Sequence, residues 1–453
     1  MTLKRSHSAV FSTQIGLKEN NVQRFPIIGS LLFIFTMLSG GEIAAKPVHV
    51  EVSKLPDGSY SLLRDGKPYL VKGAGVDGAD LATLAAHGAN SIRTWSIDGG
   101  AMPAQALLDK AHELGMTVSL GIDFARERHG FDYDDEQAVA AQLEKVKANV
   151  LAHKDHPALL TWFIGNELNF DFTNPKVYDA VNEAAELIKS LDPHHPTTTT
   201  IAGFDKKAMD AIMRRAPSLD FVSFQLYADV VNLPKYIEKY GYEGPYMITE
   251  WGAVGHWEVY ETKWGAPVET TSSEKASNYA KSFVKAIEPE KKQLIGNYVF
   301  LWGQKQERTS TWYGMFLDSG ERTEAIDVMH YIWKGKWPEN RTPRVSPIGL
   351  DDKVAFDNVF LFSGDSYEAT LNAVDPDGDK LRFRWEVRKE STATEVGGDR
   401  EVVPEEVLGL IKNPEAQKIT LKAPESPGAY RLYAFVYDGK GNAAHANFPF
   451  FVK

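Results

Sequence analysis

The 453-residue sequence contains no cysteine. Disulfides, thiolate metal sites, a cysteine nucleophile and a lipid anchor on a cysteine are therefore excluded. It also lacks an excess of positive charge. With 50 Lys+Arg against 61 Asp+Glu the formal charge is −11, which argues against nucleic acid or an anionic membrane surface as partner and is compatible with a neutral one. There is no internal repeat, no low-complexity tract and no His/Asp/Glu spacing that would make a metal site in the first three quarters of the chain. A long hydrophobic run is missing too. The apolar stretch Phe25–Leu38 has 14 residues, short of the roughly 20 a spanning helix needs.

That stretch has a different meaning from its surroundings. Lys4, Arg5, Lys18 and Arg24 precede it and the small residues up to Ala45 follow, the order of a secretory signal. Residues 1–45 are read as a signal peptide, which predicts an exported protein, periplasmic or extracellular, with no membrane span after cleavage. The other reading is an uncleaved anchor or a start codon placed too early.

What is there, from Val48 onward, is regular. Val48–Leu63 alternates around Asp57-Gly58 and predicts a β-hairpin. Eight apolar strand candidates then alternate with eight amphipathic helical stretches. The strands are Tyr69–Gly73, Ala89–Trp95, Thr117–Asp123, Leu159–Glu167, Thr197–Ala202, Phe221–Tyr227, Tyr246–Trp251 and Asn297–Trp302. Strands apolar on both faces and separated by helices imply a parallel sheet, and eight such units close into a (β/α)8 TIM barrel. No glycine-rich phosphate loop follows the first strand, as a doubly wound nucleotide-binding sheet would require. No cofactor is expected.

The barrel is assigned to residues 46–337 with its hairpin. The proline-rich stretch Trp337–Pro347 reads as a linker over 338–347. Short alternating runs separated by Asp/Gly/Pro turns then predict a smaller all-β immunoglobulin-like sandwich over 348–453. This second domain is expected to add no catalytic group, and its removal to leave activity on a small substrate largely intact. Its turn Asp375-Pro-Asp-Gly-Asp379 offers hard oxygen ligands that calcium could use; a turn closed by Asx hydrogen bonds is the alternative.

In a barrel of this kind chemistry sits at the C-terminal ends of the strands. Strand four ends Trp162-Phe-Ile-Gly-Asn166-Glu167 and strand seven ends Ile248-Thr-Glu250-Trp251. A carboxylate directly after an apolar run is costly unless paired or functional. Two of them across one mouth are what a retaining glycosidase needs, one to protonate the leaving oxygen and one to attack the anomeric carbon. Arg93 and Tyr227, at the ends of strands two and six, can hold Glu250 ionised. Asn166 can bind a sugar hydroxyl. Trp302, ending strand eight, can floor the site, and Trp95, Trp162, Trp251, Trp257, Trp264 and Trp312 are candidates for either sugar stacking or core packing.

With these residues the chain resembles glycoside hydrolase clan A, the 4/7 barrel glycosidases, and within it the barrel of family-two enzymes such as β-glucuronidases and β-galactosidases. The resemblance covers about residues 50–337 and rests on Trp162–Glu167, Ile248–Gly252, Arg93, Tyr227 and Trp302. It implies retention of anomeric configuration, Glu167 as acid/base, Glu250 as nucleophile and Asn166 as the ligand of the sugar 2-hydroxyl, with Arg93, Tyr227, Trp302 and Trp251 binding substrate. The sequence departs from that family in placing only a hairpin before the barrel and the sandwich after it, and in carrying Gln225 on strand six.

The expected substrate is a β-linked oligo- or polysaccharide. A transglycosylase using the same glutamates and an inactive glycan-binding barrel remain alternatives. His256 and the loop Asp123–Tyr133 each have a sugar-binding and a purely structural reading.

Overall fold

The computed structural model describes residues 47–453 except 78, 79, 98, 99 and 101. The signal-peptide assignment for 1–45 lies outside the described residues. The hairpin is a three-stranded antiparallel sheet, Val50–Lys54, Tyr60–Arg64 and Lys67–Pro68. Its Val50 and Leu62 pack with Leu160, Phe221, Met247 and Ile295. These are residues near the starts of the barrel strands, so the hairpin plugs the end away from the strand termini.

Eight parallel strands close into a barrel: Gly73–Val76, Ser91–Arg93, Thr117–Ile122, Leu159–Ile164, Thr197–Ala202, Phe221–Gln225, Tyr246–Glu250 and Leu294–Trp302. Each is followed by a helix, and three helices start as the sequence dictates. Asp135 and Asp205 accept hydrogen bonds from the first free backbone N–H groups of Glu136–His153 and Lys206–Arg215. Thr271 and Glu274 form a reciprocal capping box at Ser272–Ser282, satisfying donors a helix start leaves open. The first barrel strand lies at Gly73–Val76 rather than Tyr69–Gly73; Tyr69 instead sits beneath it, its hydroxyl donating to the Asn90 carbonyl at 2.8 Å. The polar interior layer of Ser91, Ser119, Thr161 and the Tyr298 hydroxyl is closed by bonds of 2.6–2.9 Å, as buried polar groups require.

Beyond the barrel, two four-stranded sheets enclose one core that includes Leu350, Leu361, Trp385, Ile419, Leu432 and Phe448. The stretch between the domains is not a free linker. Trp337 stacks under the Arg341 guanidinium at 3.8 Å, Thr342 N–H donates to Asp327 at 2.7 Å, and Arg344 pairs with Glu324 at 3.0 Å. Arg344–Val345 pairs antiparallel with Ala373–Val374, so the sandwich begins inside the stretch read as a linker, while buried carboxylates on the last barrel helix bind the segment's backbone and arginines.

The domain interface itself is buried and polar. Glu269 is held by Lys275, Thr309, Thr311 and Asn447 of the sandwich. Arg431 reaches from the sandwich to the Pro267 carbonyl at 2.8 Å and pairs with Glu390 at 2.8 Å. Burial alone would raise the Glu269 carboxyl. The Lys275 charge, His445 and the hydrogen bonds overcome this and hold it down at about 2.

In the sandwich, the Asp375–Asp379 oxygens gather within 4.8 Å. Asp375 accepts from the N–H groups of Asp377 and Asp379 at 2.9 and 3.1 Å, and Lys440 pairs with Asp379 at 2.6 Å. This is a turn closed by Asx bonds, with a lysine on one of its three carboxylates.

Candidate active site

The strand ends open into a cleft of about 1160 Å³, larger than the roughly 300–1,000 Å³ of sites for drug-sized ligands. Glu250 and Glu167 both line it, and their surroundings differ.

Glu250 closes strand seven. Its Oε1 accepts from Arg93 Nη1 at 2.8 Å, Trp95 Nε1 at 2.6 Å and Gln225 Nε2 at 2.9 Å, and its Oε2 accepts from the Tyr227 hydroxyl at 2.8 Å. Four donors and no acceptor suit a carboxylate anion, whose charge strengthens each bond. With three donors on Oε1, Oε2 is the oxygen with electron density to spare. Burial first, and then the Glu250 charge, push the Tyr227 hydroxyl well above its ordinary range, so it stays a donor.

Glu167 is reached differently. Strand four, buried throughout, ends at Ile164, and Gly165 turns with φ +72. A β-carbon on Gly165 would meet Leu168 at 2.8 Å and Phe124 at 3.0 Å, so glycine is required there twice over. Glu167 has φ +51, a left-handed conformation held by its N–H donating to Thr200 Oγ1 at 3.0 Å. Among the described residues none donates a hydrogen bond to its carboxyl. Burial, and then the Glu250 charge, raise that carboxyl well above the usual carboxylate range against the pull of Arg93, Arg128 and Arg126. One carboxyl without a donor and raised by burial, beside one gripped by four donors, is an arrangement that suits an acid and an anion sharing one site.

Asn166 stands between them. Its Oδ1 accepts from Arg93 Nη2 at 2.5 Å, Gln225 Nε2 at 2.8 Å and Thr200 Oγ1 at 3.3 Å, which leaves Nδ2 as the donor for a ligand. Gln225, at the position that marks a departure from the family pattern, is thus bonded to both Asn166 and Glu250.

Three of the substrate-binding expectations are corrected. Arg93 is fully buried, its guanidinium 5.3 Å from the rings of both Trp95 and Phe163. It positions Glu250 and Asn166 from below and does not face the cleft. Trp251 follows Glu250, and alternation sends it to the opposite face, where it packs on Tyr279 and Phe283 and donates to Asn297 at 3.1 Å. Trp302 lies against His87, Phe316 and Trp333, between barrel and helices. Its pairing register with strand one slips between Val299 and Trp302, so counting alternation along the sequence fails there. The aromatic floor is Phe300, which lines the cleft in edge contact with Trp95 at 5.6 Å and Tyr227 at 5.8 Å.

The remaining aromatics divide. Trp95 is a hydrogen-bond donor to Glu250. Trp257, 58% exposed, and His256 line the cleft. Trp162 and Trp312 are buried, bonded to Asp192 and to the Val254 carbonyl at 2.8 Å each. Trp264 packs on Phe360 and Phe451 of the sandwich. In the loop after strand three, Arg126 lines the cleft, while Arg128 and His129 turn to Asp399 of the sandwich.

The sandwich, expected to add no catalytic group, nevertheless reaches the site. Val396, Gly397 and Gly398 line the cleft. A signal for this was present in the sequence: the break between the strand ending at Lys389 and Glu406, which pairs with Arg388, exceeds the 2–5 residues of an ordinary hairpin loop, and long loops are disproportionately functional.

The Glu167 environment carries a pH prediction. A general acid works only while protonated, so with Glu167 in that role kcat/KM on an alkyl glycoside should fall as pH rises through the Glu167 pKa. That basic limb should lie well above the ordinary value of about 4.3. Glu167→Ala, assayed on a dinitrophenyl glycoside whose leaving group needs no proton, should lose the limb. A pH–rate profile in which the limb persists assigns it to another group.

Comparison with known proteins agrees with the geometry. Residues 76–293 match the family "Glycosyl hydrolases family 2, TIM barrel domain". A putative mannan endo-1,4-β-mannosidase 4 of Arabidopsis thaliana is 28% identical over 142 residues, 29% of this chain and 34% of its own length. Mannan endo-1,4-β-mannosidase F of Aspergillus clavatus is 30% identical over 110 residues, 21% of this chain and 25% of its own. The chain thus spans about a third or less of these curated relatives. The solved β-glucuronidase of Bifidobacterium dentium, complexed with coumarin-3-O-glucuronide, has a TM-score of 0.51 at 18% identity over 64% of this chain and 49% of that one, a likeness of fold. The second to the seventh barrel strands thus lie within the stretch that matches the family 2 glycosyl hydrolase TIM barrel.

Proposed function

We propose that the protein is a retaining glycoside hydrolase that cleaves β-linked glycans through a covalent glycosyl-enzyme intermediate. One observation carries this reading: two carboxyls share one cleft, Glu250 gripped by four donors and Glu167 held protonated by burial and by its neighbour's charge. Glu250 Oε2 attacks the anomeric carbon while Glu167 gives its proton to the leaving oxygen. Formation of the ester removes the Glu250 charge, which lowers the Glu167 pKa and readies it to take a proton from water. Asn166 Nδ2 donates to the sugar, and Phe300 and Trp257 offer apolar faces to the ring. The β-mannan named for two relatives is the first polymer to test. The basic, apolar and small-residue order of the N-terminus supports action outside the cytoplasm, and fusion of residues 1–46 to a reporter, assayed for export, tests that.

The decisive experiment is trapping. A panel of 2-deoxy-2-fluoro glycosides with activated leaving groups should inactivate the enzyme and add one sugar to the peptide carrying Glu250, read by mass spectrometry. Label on Glu167 instead would reverse the roles. No label from any sugar that binds would leave a glycan-binding barrel as the better description.

A further inference from the structure

The sandwich segment Ser391–Glu401 is fastened to both banks of the cleft. On one bank, Asp399 pairs with Arg128 at 3.4 Å, His129 at 2.9 Å and Arg126 at 3.7 Å, all on the loop after strand three. On the other, Arg308 of the loop after strand eight binds Glu401 through Nη1 at 2.8 Å and through its backbone N–H at 2.6 Å. The same guanidinium also donates to the carbonyls of Ala393 at 2.6 Å and Glu395 at 3.1 Å.

Between these anchors the chain passes through two glycines. A β-carbon on Gly397 would meet Arg128 Nη2 at 2.7 Å and Phe170, three residues after Glu167, at 3.2 Å. One on Gly398 would meet Lys305 Nζ at 2.9 Å. Both have positive φ, +60 and +78, and Lys305 donates to the Gly398 carbonyl at 3.0 Å. The segment therefore lies against the loops after strands three and four and the loop after strand eight, with a left-handed backbone at both positions that favours glycine.

A polysaccharide held by its middle needs a groove open at both ends. A segment tied from bank to bank takes away one of those paths, while leaving room beneath for a chain that enters by its end. We infer that Ser391–Glu401 is a specificity-determining wall of the substrate cleft which confines the enzyme to short β-linked chains and chain ends. This rests on the hydrolase reading above. It also makes the sandwich part of the binding site and not an appendage.

The test compares the intact protein with Asp399→Ala/Glu401→Ala, which removes the carboxylate ties on both banks without touching a cleft-lining side chain. The substrates are soluble β-1,4-mannan, β-1,4-glucan and β-1,3-glucan, each beside its p-nitrophenyl monoglycoside. The intact enzyme should release reducing ends with little loss of viscosity. In the variant, viscosity loss per reducing end should rise by about tenfold, with kcat/KM on the p-nitrophenyl glycoside kept within about threefold. An intact enzyme that thins the polymer from the first cuts overturns the proposal, even if the variant fails to fold. So does a folded variant with an unchanged ratio. If no glycoside is cleaved and no fluorosugar labels Glu250, the hydrolase reading has failed, and the wall is then judged by binding. Quenching of tryptophan emission should show the variant, but not the intact protein, gaining about tenfold in affinity for polymer over its hexasaccharide; equal preference in both overturns the wall as well.

Discussion

Glu250→Ala is expected to lose activity on every glycoside, by on the order of 10⁵-fold, because no other group can form the covalent intermediate. The loss should be as large on a dinitrophenyl glycoside as on an alkyl one, since the first bond to the sugar is missing in both. Azide should restore part of it by attacking from the empty side, and the product should be the inverted α-glycosyl azide. Glu167→Ala should behave in another way. On an alkyl glycoside the loss is that of a general acid, about 10²–10⁴-fold. On the dinitrophenyl glycoside the first step needs no proton, so the intermediate forms and accumulates. Azide then attacks that intermediate and gives the β-azide of retained configuration. The anomeric signals in NMR decide: an α-azide from Glu167→Ala and a β-azide from Glu250→Ala would exchange the two roles.

The second large effect is on folding. A chain ending at Glu339 should not yield a soluble, active barrel. Removing the sandwich takes Asn447 from Glu269, exposes Trp264 and Leu317, and strips the wall from the cleft. The charge pair at the interface gives a finer test. Glu269 and Lys275 are almost completely buried, and removing one partner of such a pair costs about 3–5 kcal/mol because the other is left uncompensated. Glu269→Ala should therefore unfold at clearly lower denaturant, whereas Glu269→Gln with Lys275→Met should regain most of the loss. A single variant as stable as the parent would mean that water or another residue compensates Lys275.

The barrel was readable because its signals are local and repeated. Eight apolar runs with helical spacers leave few other architectures, and the two glutamates stand out because each directly follows residues that must be buried. Asn166 and Tyr227 are legible for the same reason, as polar ends of those runs. Arg93 was legible as a partner of Glu250 but not as a group wholly beneath the cleft, since depth is a property of eight strands at once. Trp302 misled because the register slip near Val299 has no mark in the sequence, and Phe300 was hidden for the same cause. The long break after Lys389 marks a loop of the sandwich but not the place where it docks. Asp399 and its three basic partners lie some 270 residues apart, and no pattern within either segment refers to the other.

That separation has a consequence for how the protein is made. Chains emerge from the ribosome N-terminus first, and domains generally fold as they emerge. The last barrel helix ends at Lys334, so every strand and both glutamates are available while the last quarter of the chain is still being synthesised. Yet Glu269 must wait for Asn447, 178 residues later, and the cleft has no wall until Gly397 and Gly398 arrive. A nascent barrel thus passes through a period in which Glu167 and Glu250 can come together in a mouth still open. The cleft of the finished protein takes its final outline only as translation ends.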